Sequence, residues 1–465
     1  MNNYRRVISL ILIVCMCFGL SACGKKQEEN QTTEQQATPQ DATSESLFDE
    51  SVVVTPNPLP MELPTLGGEK IYVYSYDSVF GNRMDSEFRS RYPEFSDLVE
   101  YRDLNYQVTD PAYMDALKEA TEGREKPSVF IVPDNQVKRF LEWEYAAPIA
   151  DCGLDTTLYT KEAYPYTVDF GTDADGNLKA LTWQATPGVM FYNTKIAEEV
   201  LGVSDASSVQ AMVSDFDGFM EVAAKMKEAG YYMTSSPEDL MQPWLDMKQT
   251  PWVVDGTLTV DTVVTDYLEG AKEIYANNYS MNQARGTAKW SNNMSNGKVF
   301  CFFGSSVWLS KNSVFVPKEQ KYRVCAGPFV YHLGGAYIFI GKDCPNNELL
   351  ALLLYTMTCD EDAMYDLCET DDDFPNNQAA VSRLIADGVT MGDVYLNGQA
   401  PLETFDVIAK QLDRSNATEY DTEIEEYFLA VSHTYNTGNK STLEDAIESL
   451  RKRVEEGVDE VSGYE

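Results

Sequence analysis

Histidine is almost missing from this sequence: His332 and His433 are the two present in 465 residues. A zinc site built on imidazoles, or a Ser-His-Asp triad, therefore has almost no raw material. Basic residues are also scarce, 36 Lys and Arg against 74 Asp and Glu, for a formal net charge of −38. A field of that sign repels phosphate backbones and anionic lipid surfaces and argues against nucleic acid as a partner. No Cys-x-x-Cys pair occurs among the nine cysteines, and neither Gly-x-Ser-x-Gly nor His-Glu-x-x-His appears. The residues imply no metal, no cofactor and no catalytic spacing.

What the chain does have is a globular composition, 43% apolar and 24% charged, which sets it apart from disordered chains and from multi-span membrane proteins. At roughly 100–200 residues per domain, its length predicts two to four domains or two large lobes. Arg5 and Arg6 precede an apolar run from Val7 to Leu20, too short to span a bilayer comfortably but suited to a signal-peptide core. The run ends in Leu20-Ser21-Ala22-Cys23-Gly24, which resembles a bacterial lipobox. That resemblance implies cleavage after residue 22 and a lipidated Cys23, an anchor held by about 0.8 kcal/mol per buried methylene. From Gly24 to about Pro60 the chain is Lys, Gln, Glu, Thr, Ser and Pro with few large apolar side chains, and cannot offset the entropy of ordering. Residues 23–65 thus read as lipidated cysteine and flexible tether, whose r.m.s. reach is on the order of 30–35 Å.

Beyond the tether come strand–helix units. Lys70-Ile-Tyr-Val-Tyr-Ser75 reads as a strand, with helical spacing from Asn82 to Tyr92. A second strand near Leu98 to Leu104 leads through Thr109-Asp110-Pro111, a cap with proline at the first helical position, to a helix ended by Gly123. Ser128-Val-Phe-Ile-Val132 is a wholly apolar strand, and Asp134 opens a helix to about Trp143. Such units imply a buried parallel sheet with helices on both faces and a ligand crevice at the strands' carboxyl ends. That rule places Tyr76, Asp77, Asp134 and Asn135 beside the crevice. Asp173-Ala-Asp-Gly-Asn177 lacks the glycine and glutamate spacing of a calcium loop and predicts a hairpin turn instead. The acidic runs Asp360-Glu-Asp362 and Asp371-Asp-Asp373 read as solvated helix starts.

Ser128-Val-Phe-Ile-Val-Pro-Asp134, Asp175-Gly-Asn-Leu-Lys-Ala-Leu181 and Gly188-Val-Met-Phe-Tyr-Asn193 resemble successive signatures of the extracellular solute-binding proteins of ABC importers, in the carbohydrate-binding group (family 1) that includes maltose-binding proteins. A helix over 216–230, Asn296-Gly-Lys-Val-Phe-Cys-Phe-Phe-Gly304, the Gly334-Gly335 turn before a strand and a terminal helix over 441–454 follow in family order. The resemblance covers about residue 68 to the C-terminus. It implies an α/β, two-lobed periplasmic-binding-protein-like (Venus flytrap) fold with mixed sheets and type II-like topology. Lobe 1 would hold residues 66–179 and 332–390, lobe 2 residues 180–331 and 391–465. It further implies a monomer, outside the cell, that captures a carbohydrate between the lobes and hands it to an ABC permease driven by a separate ATPase, with no catalysis.

A sugar cleft needs aromatic rings for the C–H faces of the sugar beside planar donors and acceptors for its hydroxyls. Gln242-Pro243-Trp244 resembles the maltose-type segment whose aromatic stacks on sugar, and Trp308, four residues after Gly304, resembles a second stacking ring. Asp134 matches a hydroxyl acceptor, with helix capping as its plain alternative. Tyr76 and Asp77 match a hydroxyl-binding loop, Trp183 and Gln184 lie near the lobe crossover, and Gly334 and Gly335 allow close backbone approach or a hinge bend. Two alternatives stay open. An exported glycoside hydrolase needs only a carboxylate pair, and the same fold could take a polyamine, peptide or metal chelate. Cys152, Cys301, Cys325, Cys344, Cys359 and Cys368 are even in number and compatible with disulfides, or with buried thiols.

Overall fold

The structure, a computed structural model, describes residues 59–107, 112–307, 316–317, 321–391, 396, 398–438, 441–458, 461 and 463–464. Residues Pro60–Glu465 form one compact unit. The signal segment, Cys23, the Asp110-Pro111 cap and Trp308 lie outside the described residues.

Of the three sheets among the described residues, two organise the molecule. The strands, in chain order, are β1 (Ile71–Ser75), β2 (Val99–Asp103), β3 (Val129–Pro133), β4 (Ala146–Ala147), β5 (Ala180–Leu181), β6 (Val189–Asn193), β7 (Val253–Val254), β8 (Thr257–Leu258), β9 (Cys301–Gly304), β10 (Tyr322–Cys325), β11 (Ala336–Gly341) and β12 (Gly463–Tyr464). The larger sheet runs β2-β1-β3-β11-β4, with β5 also on β11. Its first three strands are parallel and β11 is antiparallel to β3, so the sheet is mixed. All five residues of β3 are buried, as an apolar run covered on both faces requires. The β5 strand, which the expected lobe boundary assigns to the second lobe, pairs with β11 of this first sheet.

The second sheet is antiparallel, in the order β10-β6-β9. Because successive side chains alternate faces, Met190 and Tyr192 enter one core and Val189 and Phe191 another. The first core is closed by helices Phe216–Glu228, Thr262–Ala276 and Asp421–Thr437, the second by Gln378–Ala386 and Leu402–Ala409. A short parallel pairing of β12 with β8 ties the C-terminal residues to the β7–β8 hairpin.

Local chemistry fixes the helix ends. Asn193, Asp215, Asp261 and Asp360 each accept a backbone N–H of their helix's first turn, a cap contributing about 1 kcal/mol. Asp360 does open a helix, Glu361–Asp371, as the acidic run predicts. The Asp371-Asp-Asp373 triplet does not: Asp371 ends that helix, Asp372 is its left-handed cap (φ 53°), and Asp373 is buried. The Asp173 carboxylate accepts from the backbone N–H of Asp175 and Asn177 and faces Lys179 Nζ at 3.2 Å, closing the turn between the bridged Thr172 and Leu178.

The register of β3 against β11 matters most for the site. It sets Ala336 beside Pro133, so Gly335 lies opposite Asp134, whose N–H donates to the Gly335 carbonyl at 3.0 Å. Gly334 and Gly335 have φ of 77° and 112°, backbone that a residue with a Cβ enters only under strain.

Candidate functional site

A cavity of about 660 Å³ opens where the chain passes between the sheets. Its size is that of a small-molecule pocket. The passages are visible as isolated bridges, Gln184 to Pro375 and Pro187 to His332, and as the Ser305 hydroxyl donating to the Leu333 carbonyl.

Nine of the eleven predicted site residues line the cavity: Tyr76, Asp77, Asp134, Asn135, Trp183, Gln184, Gln242, Gly334 and Gly335. Their roles differ. Trp183 is 3% exposed and packs on Phe80, ring centroids 5.2 Å apart. Tyr76 meets Tyr113 edge-on at 5.7 Å, and the Asp77 carboxylate accepts from the Val79 N–H at 3.0 Å at the start of a helix. Gln184, with its amide turned to satisfy both ends, donates to Asp373 and accepts from the Ala336 N–H. Asp373 also accepts from the Ser306 hydroxyl at 2.8 Å; burial outweighs these bonds and pushes its carboxyl up to about 6.

Trp244 is a correction. It does not line the cavity but sits in the core, its ring 4.4 Å from Phe216, 5.2 Å from Phe329 and 6.0 Å from Tyr267. At 3.6 residues per turn, Trp244 projects about 200° away from Gln242, whereas Asp246 projects within about 40° of it. Gln242 and Asp246 therefore share the cavity face of this segment, and Gln242 Nε2 donates to Asp246 Oδ1 at 2.9 Å.

The centre of the site is a chain of charges, of which only Asp134 was expected beside the crevice. Asp134 does not cap the short turn after β3, which has no side-chain cap. Its carboxylate accepts from both Nη atoms of Arg414, at 2.5 and 3.0 Å, and lies 3.0 Å from His332 Nε2. His332 Nδ1 bonds to Asp246 Oδ2, and the His332 backbone N–H donates to the same oxygen at 2.7 Å. A neutral imidazole donates from one nitrogen alone, so a ring held between two carboxylates is stabilised as imidazolium. Burial pulls the imidazole down, as does Arg414, but Asp246 and Asp134 outweigh both and hold it at about 9. Burial likewise opposes ionisation of Asp134, and Arg414 and His332 reverse that, lowering it to about 2. Arg414 Cζ lies 3.5 Å from the centroid of the Phe170 ring, a close cation–π contact.

A second buried ion group lines the same cavity. Lys248 Nζ lies 3.8 Å from Asp421 and 3.7 Å from Glu425, and 4.8 Å from the Trp252 ring centroid. Burial pushes Glu425 up to about 7 despite the Lys248 charge. Two signals for these groups lay in the sequence. His332 is one of two histidines and adjoins the Gly-Gly turn, and Arg414 is a lone base in Asp413-Arg-Ser-Asn416. Among the described residues no cluster of histidine, cysteine and carboxylates is arranged to hold a metal ion. No helix among them is long and apolar enough to cross a membrane. The six described cysteines are free thiols.

A mixed sheet of this order, a second sheet reached by several chain crossings, and a cavity between them define a two-lobed solute-binding protein. Residues 103–392 match the family model for bacterial extracellular solute-binding proteins, and the chain belongs to that family. No curated protein sequence matches it. Among solved structures it is similar to the sugar-binding protein MalE from Xanthomonas citri, at 13% identity and a TM-score of 0.66, over 83% of this chain and 96% of that one. It is similar to the ABC-transporter-associated binding protein of B. animalis subsp. lactis in complex with β-1,6-galactobiose, at 17% identity and TM-score 0.63, over 86% and 100%. The galacto-N-biose/lacto-N-biose I-binding protein of Bifidobacterium longum matches at 11% identity and TM-score 0.62, over 86% and 99%.

Proposed function

We propose that this protein is the membrane-anchored capture component of an ABC importer, taking a carbohydrate into the cavity between its lobes and passing it unaltered to a permease served by a separate ATPase. The observation that carries the reading is the cavity itself. It brings together carboxylate and amide groups suited to paired hydroxyls, with the Phe170 and Trp183 rings in its wall. Support also comes from the sugar-binding proteins of like fold. Cys23, behind its apolar run, supplies the lipid anchor, and the tether up to about residue 60 holds the domain clear of the bilayer. The lobes divide near 66–179 plus 332–390 and 180–331 plus 391–465, and the chain acts as a monomer.

Micromolar capture corresponds to about −8 kcal/mol, within reach of a few charge-assisted hydrogen bonds and a ring contact after the cost of closure. Closure follows from contacts that solute makes only in the closed state. A second reading, a cationic solute such as a polyamine, draws on one feature: carboxylates in the cavity lining outnumber its arginines and lysines eight to four. Crystals of the lipid-free chain grown with β-1,6-galactobiose, maltotriose or spermidine test the placement. Sugar density between Asp134, Gln184 and Asp246 supports the first reading, spermidine density there supports the second, and an occupied site elsewhere on the surface removes both.

A further inference from the structure

The Asp134 carboxylate and the Phe170 ring are already occupied. Arg414 lays a flat guanidinium 3.5 Å from the ring centroid and directs two parallel N–H donors to the two carboxylate oxygens. A pyranose with adjacent hydroxyls offers the same pair of features, two donors on one edge and an apolar face at right angles to them. Resting on the carbohydrate reading, we propose that Arg414 is a specificity-determining residue that fills this slot and must be displaced by the solute.

The segment carrying Arg414 is built to cross the cavity. It joins helix Leu402–Ala409 to helix Asp421–Thr437. On the β3 side, the Glu419 carbonyl accepts from Arg139 Nε at 3.0 Å, and the Thr422 hydroxyl donates to the Asn135 carbonyl at 2.5 Å. On the opposite side, Asn416 Nδ2 donates to the Lys248 carbonyl at 2.9 Å, and Asp421 and Glu425 flank the Lys248 ammonium. Residues 413–425 are a strap fastened on both sides of the cavity, with Arg414 reaching inward from it.

The exchange does not orphan the Asp134 carboxylate. Asp134 keeps the His332 imidazolium at 3.0 Å when Arg414 withdraws, which spares the large cost of an unpaired buried carboxylate. Solute hydroxyls then replace the two guanidinium donors. The apparent affinity of any solute is reduced by the fraction of molecules whose slot Arg414 holds. A solute lacking two neighbouring donors cannot replace the guanidinium and is rejected.

The test compares wild type, Arg414→Ala and Arg414→Lys in the lipid-free chain. Calorimetric titration with β-1,6-galactobiose and maltotriose should show binding tightened tenfold or more in Arg414→Ala. The lysine variant, which keeps charge without the flat paired donors, should fall between. Arg139→Ala lies outside the cavity lining and removes one of the two β3-side fastenings of the strap, so it should tighten binding severalfold. Methylguanidinium, the missing side-chain head, should raise the melting temperature of Arg414→Ala saturably and leave wild type unmoved, whether or not a sugar binds. Tenfold weaker sugar binding in Arg414→Ala would overturn the proposal by making Arg414 a solute contact. Failure of methylguanidinium to stabilise a folded Arg414→Ala would overturn the slot itself. If methylguanidinium stabilises that variant while neither sugar binds any of the proteins, the slot stands as a cation site and the carbohydrate reading falls.

Discussion

The imidazolium between Asp246 and Asp134 gives this protein a pH dependence that can be worked out. His332 has an ordinary value of 6.5 and is held at about 9 in the fold, which corresponds to on the order of 3 kcal/mol of folding stability. The sign follows from the direction. A base whose folded value is raised contributes fully below its unfolded value, so the contribution is complete below about 6.5 and is lost as pH climbs through about 9. Asp134, lowered from 3.8 to about 2, acts in the opposite window, where its contribution disappears only as pH falls through that range. His332→Gln removes the titrating base while Arg414 still pairs Asp134. Urea unfolding of wild type and variant from pH 5.5 to 9.5 should give a stability gap that is widest at the acid end and narrows by about 3 kcal/mol toward pH 9.5. The two histidines make the group directly observable by carbon NMR, since the side chain of the second, His433, is 69% exposed. A gap that stays constant across this range, or a His332 resonance titrating at 6.5 or below, would mean that the two carboxylates do not hold the ring as an imidazolium.

Two further outcomes follow from placement. Trp244→Ala should cost about 3–5 kcal/mol of stability, the range for emptying a buried aromatic, while leaving solute affinity within about twofold; an unchanged denaturation midpoint with weakened binding would return the ring to the site. Cys23→Ser should shift the protein from the membrane fraction of the producing cells to the soluble exported fraction, and continued membrane association would remove the lipid anchor.

Periodicity and turn chemistry made much of the fold legible. Strand β3 is a wholly apolar run, the capping asparagine and aspartates precede their helices, and Gly334-Gly335 announces a backbone turn that only residues without a Cβ enter freely. The cavity lining was readable where it hangs on these elements: Asp134 and Asn135 follow β3 directly, and Tyr76 and Asp77 follow β1. It was not readable where it depends on groups far apart in sequence. Arg414 lies 280 residues from Asp134 and Asp246 lies 86 from His332, and no local pattern announces a pairing that only the folded chain makes. Trp244 shows the complementary failure. A Gln-Pro-aromatic triplet resembles a stacking segment, yet helical phase decides which of its side chains meets the cavity, and Gln242 wins that position.

The claim that this molecule binds sugar and leaves it intact is tested most directly by calorimetric titration of the lipid-free chain with mono- and oligosaccharides, coupled to chromatography of the recovered sugar. A saturable heat is expected for at least one saccharide, near one equivalent per chain, with every molecule of sugar recovered uncleaved. Sustained appearance of shorter sugars would make the protein a hydrolase, and the absence of any saturable heat across the whole panel would contradict the carbohydrate reading outright.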